Sequence, residues 1–226
     1  MKRALCTTLL APLLAASAVA AVAVPAEAQQ RPDFSWEGAI PRGRWLYVRN
    51  LNGSIRVDKA SGTKAEVTAE KRVRRGSGDE VRIEVKKVGN DDILICAIWF
   101  ENTTCDEDGY RTRGSDRWNR RNEVSVEFTV RLPEGVKLVS SSVNGAIRIE
   151  GATSEVDAST VNGSISANTS GGPVRANTVN GAIEVTMRET GTADLEFETV
   201  NGSIDIQLPA ELNAELDMRT VNGRVS

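Results

Sequence analysis

The chain has 226 residues, with 28 basic and 31 acidic side chains for a formal net charge of −3, three cysteines and no histidine. Near-balanced charge gives no general electrostatic case for a nucleic-acid partner. The lack of histidine removes the usual nucleophile–base pair of hydrolases and leaves a zinc site without its nitrogen ligands.

Residues 1–28 read as a secretory signal peptide: Lys2 and Arg3, an Ala/Leu-rich run, then Ala26-Glu27-Ala28 before Gln29. The alternative is a single membrane anchor, but the run is Ala-rich and broken by Pro12 and Pro25. No other stretch is long and apolar enough to span a bilayer. Cleavage after Ala28 removes Lys2, Arg3 and Glu27, a net +1, so the −3 becomes −4. Residues 29–44 form a lead-in, and residues 45–226 form one domain large enough for a continuous core.

That domain carries a repeat. Its copies are Leu51-Asn52-Gly53-Ser54-Ile55, Val143-Asn144-Gly145-Ala146-Ile147, Val161-Asn162-Gly163-Ser164-Ile165, Val179-Asn180-Gly181-Ala182-Ile183, Val200-Asn201-Gly202-Ser203-Ile204 and Val221-Asn222-Gly223-Arg224-Val225. From Asn144 the spacing is 18, 18, 21 and 21 residues, the signature of a stacked-repeat architecture. Six residues before each Asn stand Leu46, Leu138, Val156, Val174, Leu195 and Leu216, and two before stand Asn50, Ser142, Thr160, Thr178, Thr199 and Thr220. Three after stand Ile55, Ile147, Ile165, Ile183, Ile204 and Val225, with mostly polar residues between the columns. Such period-two alternation is a half-buried strand, and Asn-Gly is expected to supply the positive φ of a tight turn.

Two all-β architectures fit this unit. In a β-solenoid of roughly 18–21-residue rungs, each rung pairs in parallel with the next, and the stacked Asn side chains can form amide ladders. In an antiparallel β-meander each Asn-Gly is a hairpin turn. The solenoid is the better reading, because a meander gives no reason for columns of identical residues at a near-constant period.

Residues 60–133 interrupt the repeat. Strand-like runs cover Ala65 to Val73, Val81 to Val88, Ile93 to Trp99 and Val124 to Leu132. They are expected as wider, irregular rungs joining the first copy to the array. A disulfide-bearing insertion spans roughly 96–121. Cys96 and Cys105 are the only cysteines left after processing, and in an oxidising compartment they are expected to pair; free thiols are the alternative.

Four chemical sites can be weighed. Asp106-Glu107-Asp108-Gly109 lacks the later acidic ligand of a calcium loop. Arg111, Arg113, Arg117, Arg120 and Arg121 with Trp118 could grip an anionic ligand, or could be neutralised by the acidic half of the same insertion. The six turns, Asn52-Gly53 through Asn222-Gly223, could line a binding face, although turn geometry already accounts for them. Outward Glu184, Asp205 and Asp217 would be the acids of an enzyme, but a solvated strand face also needs such residues. No catalytic, metal or cofactor set stands out.

The Thr-Val-Asn-Gly-(Ser/Ala)-Ile unit resembles a bacterial exported β-strand-repeat family labelled putative adhesin, a domain of unknown function. Ile95-Cys96-Ala97-Ile98-Trp99, the Cys105 partner and the Val126-to-Gly135 run also resemble it, so the likeness covers roughly residue 45 to the end. The resemblance implies a right-handed β-solenoid outside the inner membrane, in the periplasm or at the cell surface. It supplies no catalytic residues. Three functions follow as expectations: a non-enzymatic envelope or adhesion module, a polysaccharide-binding module marked by exposed aromatics, or a β-helix lyase or hydrolase. Envelope polysaccharide or another surface protein is the expected partner. Because the sequence stops just after a strand begins, either a longer chain or end-to-end self-association is expected.

Overall fold

Strict alternation of apolar and polar residues gives each strand one face to bury, and pairs of such faces must meet. The computed structural model describes residues 32–113, 122–190, 194–211 and 215–226. The signal-peptide segment and Arg117, Trp118, Arg120 and Arg121 lie outside the described residues. In chain order the strands are β1 (Phe34–Ala39), β2 (Trp45–Arg49), β3 (Ile55–Lys59), β4 (Lys64–Arg75), β5 (Arg82–Val88), β6 (Asp92–Ile98), β7 (Thr103–Asp106), β8 (Gly109–Thr112) and β9 (Glu123–Leu132). The tandem copies then contribute β10 (Lys137–Ser141), β11 (Ile147–Ala152), β12 (Val156–Asn162), β13 (Ile165–Thr169), β14 (Val174–Asn180), β15 (Ile183–Met187), β16 (Leu195–Asn201), β17 (Ile204–Gln207) and β18 (Leu216–Asn222).

Successive strands of the repeat alternate between two sheets. One runs β1-β4-β9-β3-β11-β13-β15-β17 and the other β18-β16-β14-β12-β10-β2-β6-β5, while β7 and β8 pair as a separate hairpin. The strands flanking an Asn-Gly turn, such as β12 and β13, therefore never pair with each other. Each pairs in parallel with its own copy: Val156 with Val174, Thr160 with Thr178, Ile165 with Ile183, Ile183 with Ile204. That arrangement excludes the antiparallel meander.

The core is one cluster running along the repeats. Ile55, Ile147, Ile165, Ile183 and Ile204 are fully buried, as are Leu46, Leu138, Val156, Val174 and Leu195. Each such side chain contributes about 1.5–3 kcal/mol. Column identity follows from parallel in-register pairing, in which one rung's volume sets the space left to the next.

The 60–133 segment does not lie between the first copy and the array. Leu46 pairs with Leu138 and Ile55 with Ile147, so the first copy stacks directly on the second. The intervening chain closes the opposite side. There β6 joins β2 in parallel (Leu46 with Ile93) and β9 joins β3 in parallel (Ile55 with Phe128). Beyond them the pairing reverses: β5–β6, β4–β9 and β1–β4 are antiparallel. The lead-in is thus partly absorbed into this end as edge strand β1. The physical reason is that two copies of one pattern fit each other in register better than either fits the dissimilar insertion.

The expected role of the turn glycines also changes. Of the six, only Gly53 has positive φ, at 117°. At Gly181 a Cβ would fall well inside van der Waals contact with the carbonyl oxygen of Gly163, and the same holds from Gly145 to Gly223. Glycine is required there because backbones of adjacent rungs approach closely, not because the turn is left-handed.

Candidate functional site

The six Asn side chains form an unbroken ladder along the turn edge. The Nδ2 of Asn144 donates to Oδ1 of Asn52 at 2.8 Å. Asn162, Asn180, Asn201 and Asn222 each donate to the preceding Asn at 2.9 Å. Beneath it, the glycine carbonyls accept from the column two residues before each Asn. Thr160 donates to Gly145 at 3.0 Å, Thr178 to Gly163 at 2.9 Å, Thr199 to Gly181 at 3.0 Å and Thr220 to Gly202 at 3.2 Å. Ser142 does the same for Gly53 at 3.1 Å. This meets the rule that buried backbone acceptors find partners, and it explains why the column keeps hydroxyl residues.

Beside the ladder runs a second column that the core does not need. Val161, Val179 and Val200 are 39, 39 and 37% exposed, and Val221 is 75% exposed. With Val143 and Leu51 they border the Asn ladder from first rung to last. The opposite flank holds Ser54, Ala146, Ser164, Ala182 and Ser203, so the strip carries no charge until Arg224.

At its Asn52 end the strip opens into a cleft of about 560 Å³. Leu51, Asn52, Val143 and Asn144 line it from the turn edge; Trp99, Phe100 and Glu101 line it from the segment after β6. Trp99 Nε1 donates to the Val124 carbonyl at 3.2 Å, and the hydroxyl of Tyr110, also a lining residue, donates to the Ala97 carbonyl at 2.8 Å. Burial pushes the Tyr110 phenol well above its ordinary range. Asn122 donates to Glu80 at 2.6 Å on the same cleft.

The β7–β8 hairpin that carries Tyr110 is held against β6 by the Cys96–Cys105 disulfide, with Cα atoms 6.5 Å apart. The two sulfurs, Leu94 and Ile98 form a small second core with Tyr47 and Tyr110 packed on it. The sequence left this hairpin unassigned, as its four-residue strands are too short for a pattern.

Of the arginine run, Arg111 and Arg113 are among the described residues. Arg111 bonds the acids of its own hairpin, Asp106 at 3.0 Å and Asp108 at 2.8 Å. Arg113 contributes a backbone N–H to the Asn102 carbonyl at 3.1 Å. Asp106 accepts from the backbone N–H groups of Asp108 and Gly109, so its carboxylate shapes the turn. Of the outward acids, Glu184 and Asp205 are exposed in-register neighbours, and Asp217 pairs with Arg219. Asp157, which sequence reasoning passed over, is half-buried on the outer face of β12. Desolvation raises its pKa, with Arg175 and Arg49 pulling the other way.

No family model matches the chain. No curated protein matches it either. Among solved structures, it is similar to a putative cell adhesion protein from Clostridium sporogenes ATCC 15579 at 12% identity, covering 86% of this chain and 98% of that one with a TM-score of 0.45. It is also similar to putative adhesins from Parabacteroides distasonis ATCC 8503 and Parabacteroides merdae ATCC 43184. Each is 12% identical and is covered over 95% of its length by 85% of this chain, with TM-scores of 0.23 and 0.22.

Proposed function

We propose that the chain is an exported, non-enzymatic module of adhesin type: a right-handed β-solenoid of roughly 18–21-residue rungs that holds a rigid strip against envelope polysaccharide or another surface protein. The reading needs no cofactor. Its main support is the exposed valine column beside the Asn ladder. Turn geometry explains Asn and Gly, and the core explains Ile and Leu, but neither requires the exposed Val161, Val179, Val200 and Val221. A contiguous apolar row on a water-facing edge is what an interaction surface presents. Because each rung after the first is pinned by a hydrogen bond between Asn side chains and by a hydroxyl-to-carbonyl hydrogen bond, the strip loses little entropy on binding. The Cys96–Cys105 bond fits an oxidising compartment.

The test is binding of the processed protein to an isolated envelope fraction. Replacing Val161, Val179 and Val200 together by Glu should abolish it while thermal unfolding stays cooperative; undiminished binding by the folded triple variant would sink the strip as the binding surface. Export is tested by N-terminal sequencing of the secreted protein, which should begin at Gln29. Recovery of uncleaved protein in the membrane fraction would defeat that part.

A further inference from the structure

The cleft at the capped end differs in chemistry from the strip it continues. Trp99 and Tyr110 have their polar atoms committed to the Val124 and Ala97 carbonyls, so they offer a ligand ring carbon. Phe100 adds a third ring. Polar capacity comes from Asn52, Asn144 and the exposed Glu101. Asn52 only accepts within the ladder, and its own NH2 makes no hydrogen bond to the described residues. Glu80 supplies a second carboxylate, shared with Asn122. The described lining residues include no lysine or arginine.

We infer that this cleft binds an uncharged saccharide. Ring carbon suits the C–H face of a pyranose, while amides and carboxylates suit its hydroxyl groups, which both donate and accept. The two carboxylates among the described lining residues disfavour uronic acids, phosphate and nucleic acid. The volume is in the range of small-ligand pockets and holds one or two sugar units. The valine and Asn columns leave the cleft through Leu51, Asn52, Val143 and Asn144, so a longer neutral chain has an uncharged track to follow. The inference rests on the reading of the chain as a binding module and names the ligand class for one end of it.

The experiment titrates the folded, oxidised protein with neutral cello-, laminari- and N-acetylated chito-oligosaccharides, using acidic oligogalacturonate as the counter-probe and calorimetry as the readout. At least one neutral series should bind saturably. Glu101→Ala, at an exposed position, and Phe100→Ala should each weaken it at least tenfold, while Gly62→Ala, in open space outside both the cleft lining and the strip, leaves it unchanged. Melting curves identify a Phe100→Ala protein that has failed to fold, in which case Glu101→Ala alone decides. No binding by any neutral series, equal binding of oligogalacturonate, or unchanged affinity in Glu101→Ala overturns the inference. The two readings fail separately: the triple valine variant tests envelope binding by the strip, and Glu101→Ala tests the cleft.

Discussion

The tandem rungs and the capped end solve the same problem in opposite ways. In the rungs each residue meets a copy of itself: Asn bonds Asn, threonine hydroxyls serve glycine carbonyls, and isoleucine packs on isoleucine. At the capped end pairing turns antiparallel and each contact is made once. There Asn50 replaces the hydroxyl residue and reaches two carbonyls, Gly53 at 2.9 Å and Val126 at 2.8 Å, to tie the first rung to β9. Repetition satisfies polar groups cheaply in the middle of a stack, whereas the end needs individually fitted partners. A fitted end is also where a concave, chemically mixed cleft can arise; a regular edge offers only a strip.

Substitutions can break this contrast. Ile183→Ala should be the most damaging, at about 2–5 kcal/mol in chemical denaturation, because the side chain is fully buried in a column that cannot collapse. Glu184→Ala, one residue on and exposed, should stay within about 0.5 kcal/mol; equal effects would mean the two faces are reversed. Next comes Gly181→Ala, expected to cost about 1–3 kcal/mol because its Cβ meets the Gly163 backbone. Gly62, with open space around its Cβ position, should tolerate alanine nearly without effect. If both are tolerated, close approach is not what selects glycine in the turns.

Reduction of Cys96–Cys105 should destabilise the capped end by about 2–3 kcal/mol, given the short loop it closes. Hydrogen exchange should localise the loss to β6–β8 and leave β12–β16 protected. Uniform loss along the array would show that the two regions are one cooperative unit. The smallest effect is that of Asp157→Asn. Its carboxyl pKa is raised in the folded state, so the folded protein holds that proton more tightly than the unfolded chain. The ionised group therefore costs stability above its folded pKa, and that cost disappears as pH falls below the unfolded value of about 3.9. Asp157→Asn should melt slightly higher at pH 7 and equally at pH 3.

Much of the array was legible because two short periods overlap in it. Period-two alternation assigned faces correctly in the tandem strands from Leu138 to Ile204, and column identity pointed to parallel stacking and the Asn ladder. What alternation cannot reveal is spatial order across a long gap. Leu51-Asn52-Gly53-Ser54-Ile55 matches the later copies, yet nothing local says that residues 60–133 fold back to the far side. The glycine role was hidden for a related reason. Asn-Gly is compatible with positive φ and with close backbone approach, and only the position of the neighbouring rung separates them. The cleft was not legible at all, since its lining comes from separate segments brought together by a disulfide-held hairpin.

The amide ladder also has a direction. Every bond runs the same way, from Asn222 through Asn201, Asn180, Asn162 and Asn144 to Asn52. Six carboxamide dipoles are therefore aligned head to tail. The positive end of the row is the NH2 group of Asn52, a residue that lines the cleft. The ladder therefore ends in unlike groups, an amide NH2 at Asn52 and a carboxamide oxygen at Asn222, so its two ends offer a partner opposite hydrogen-bonding roles.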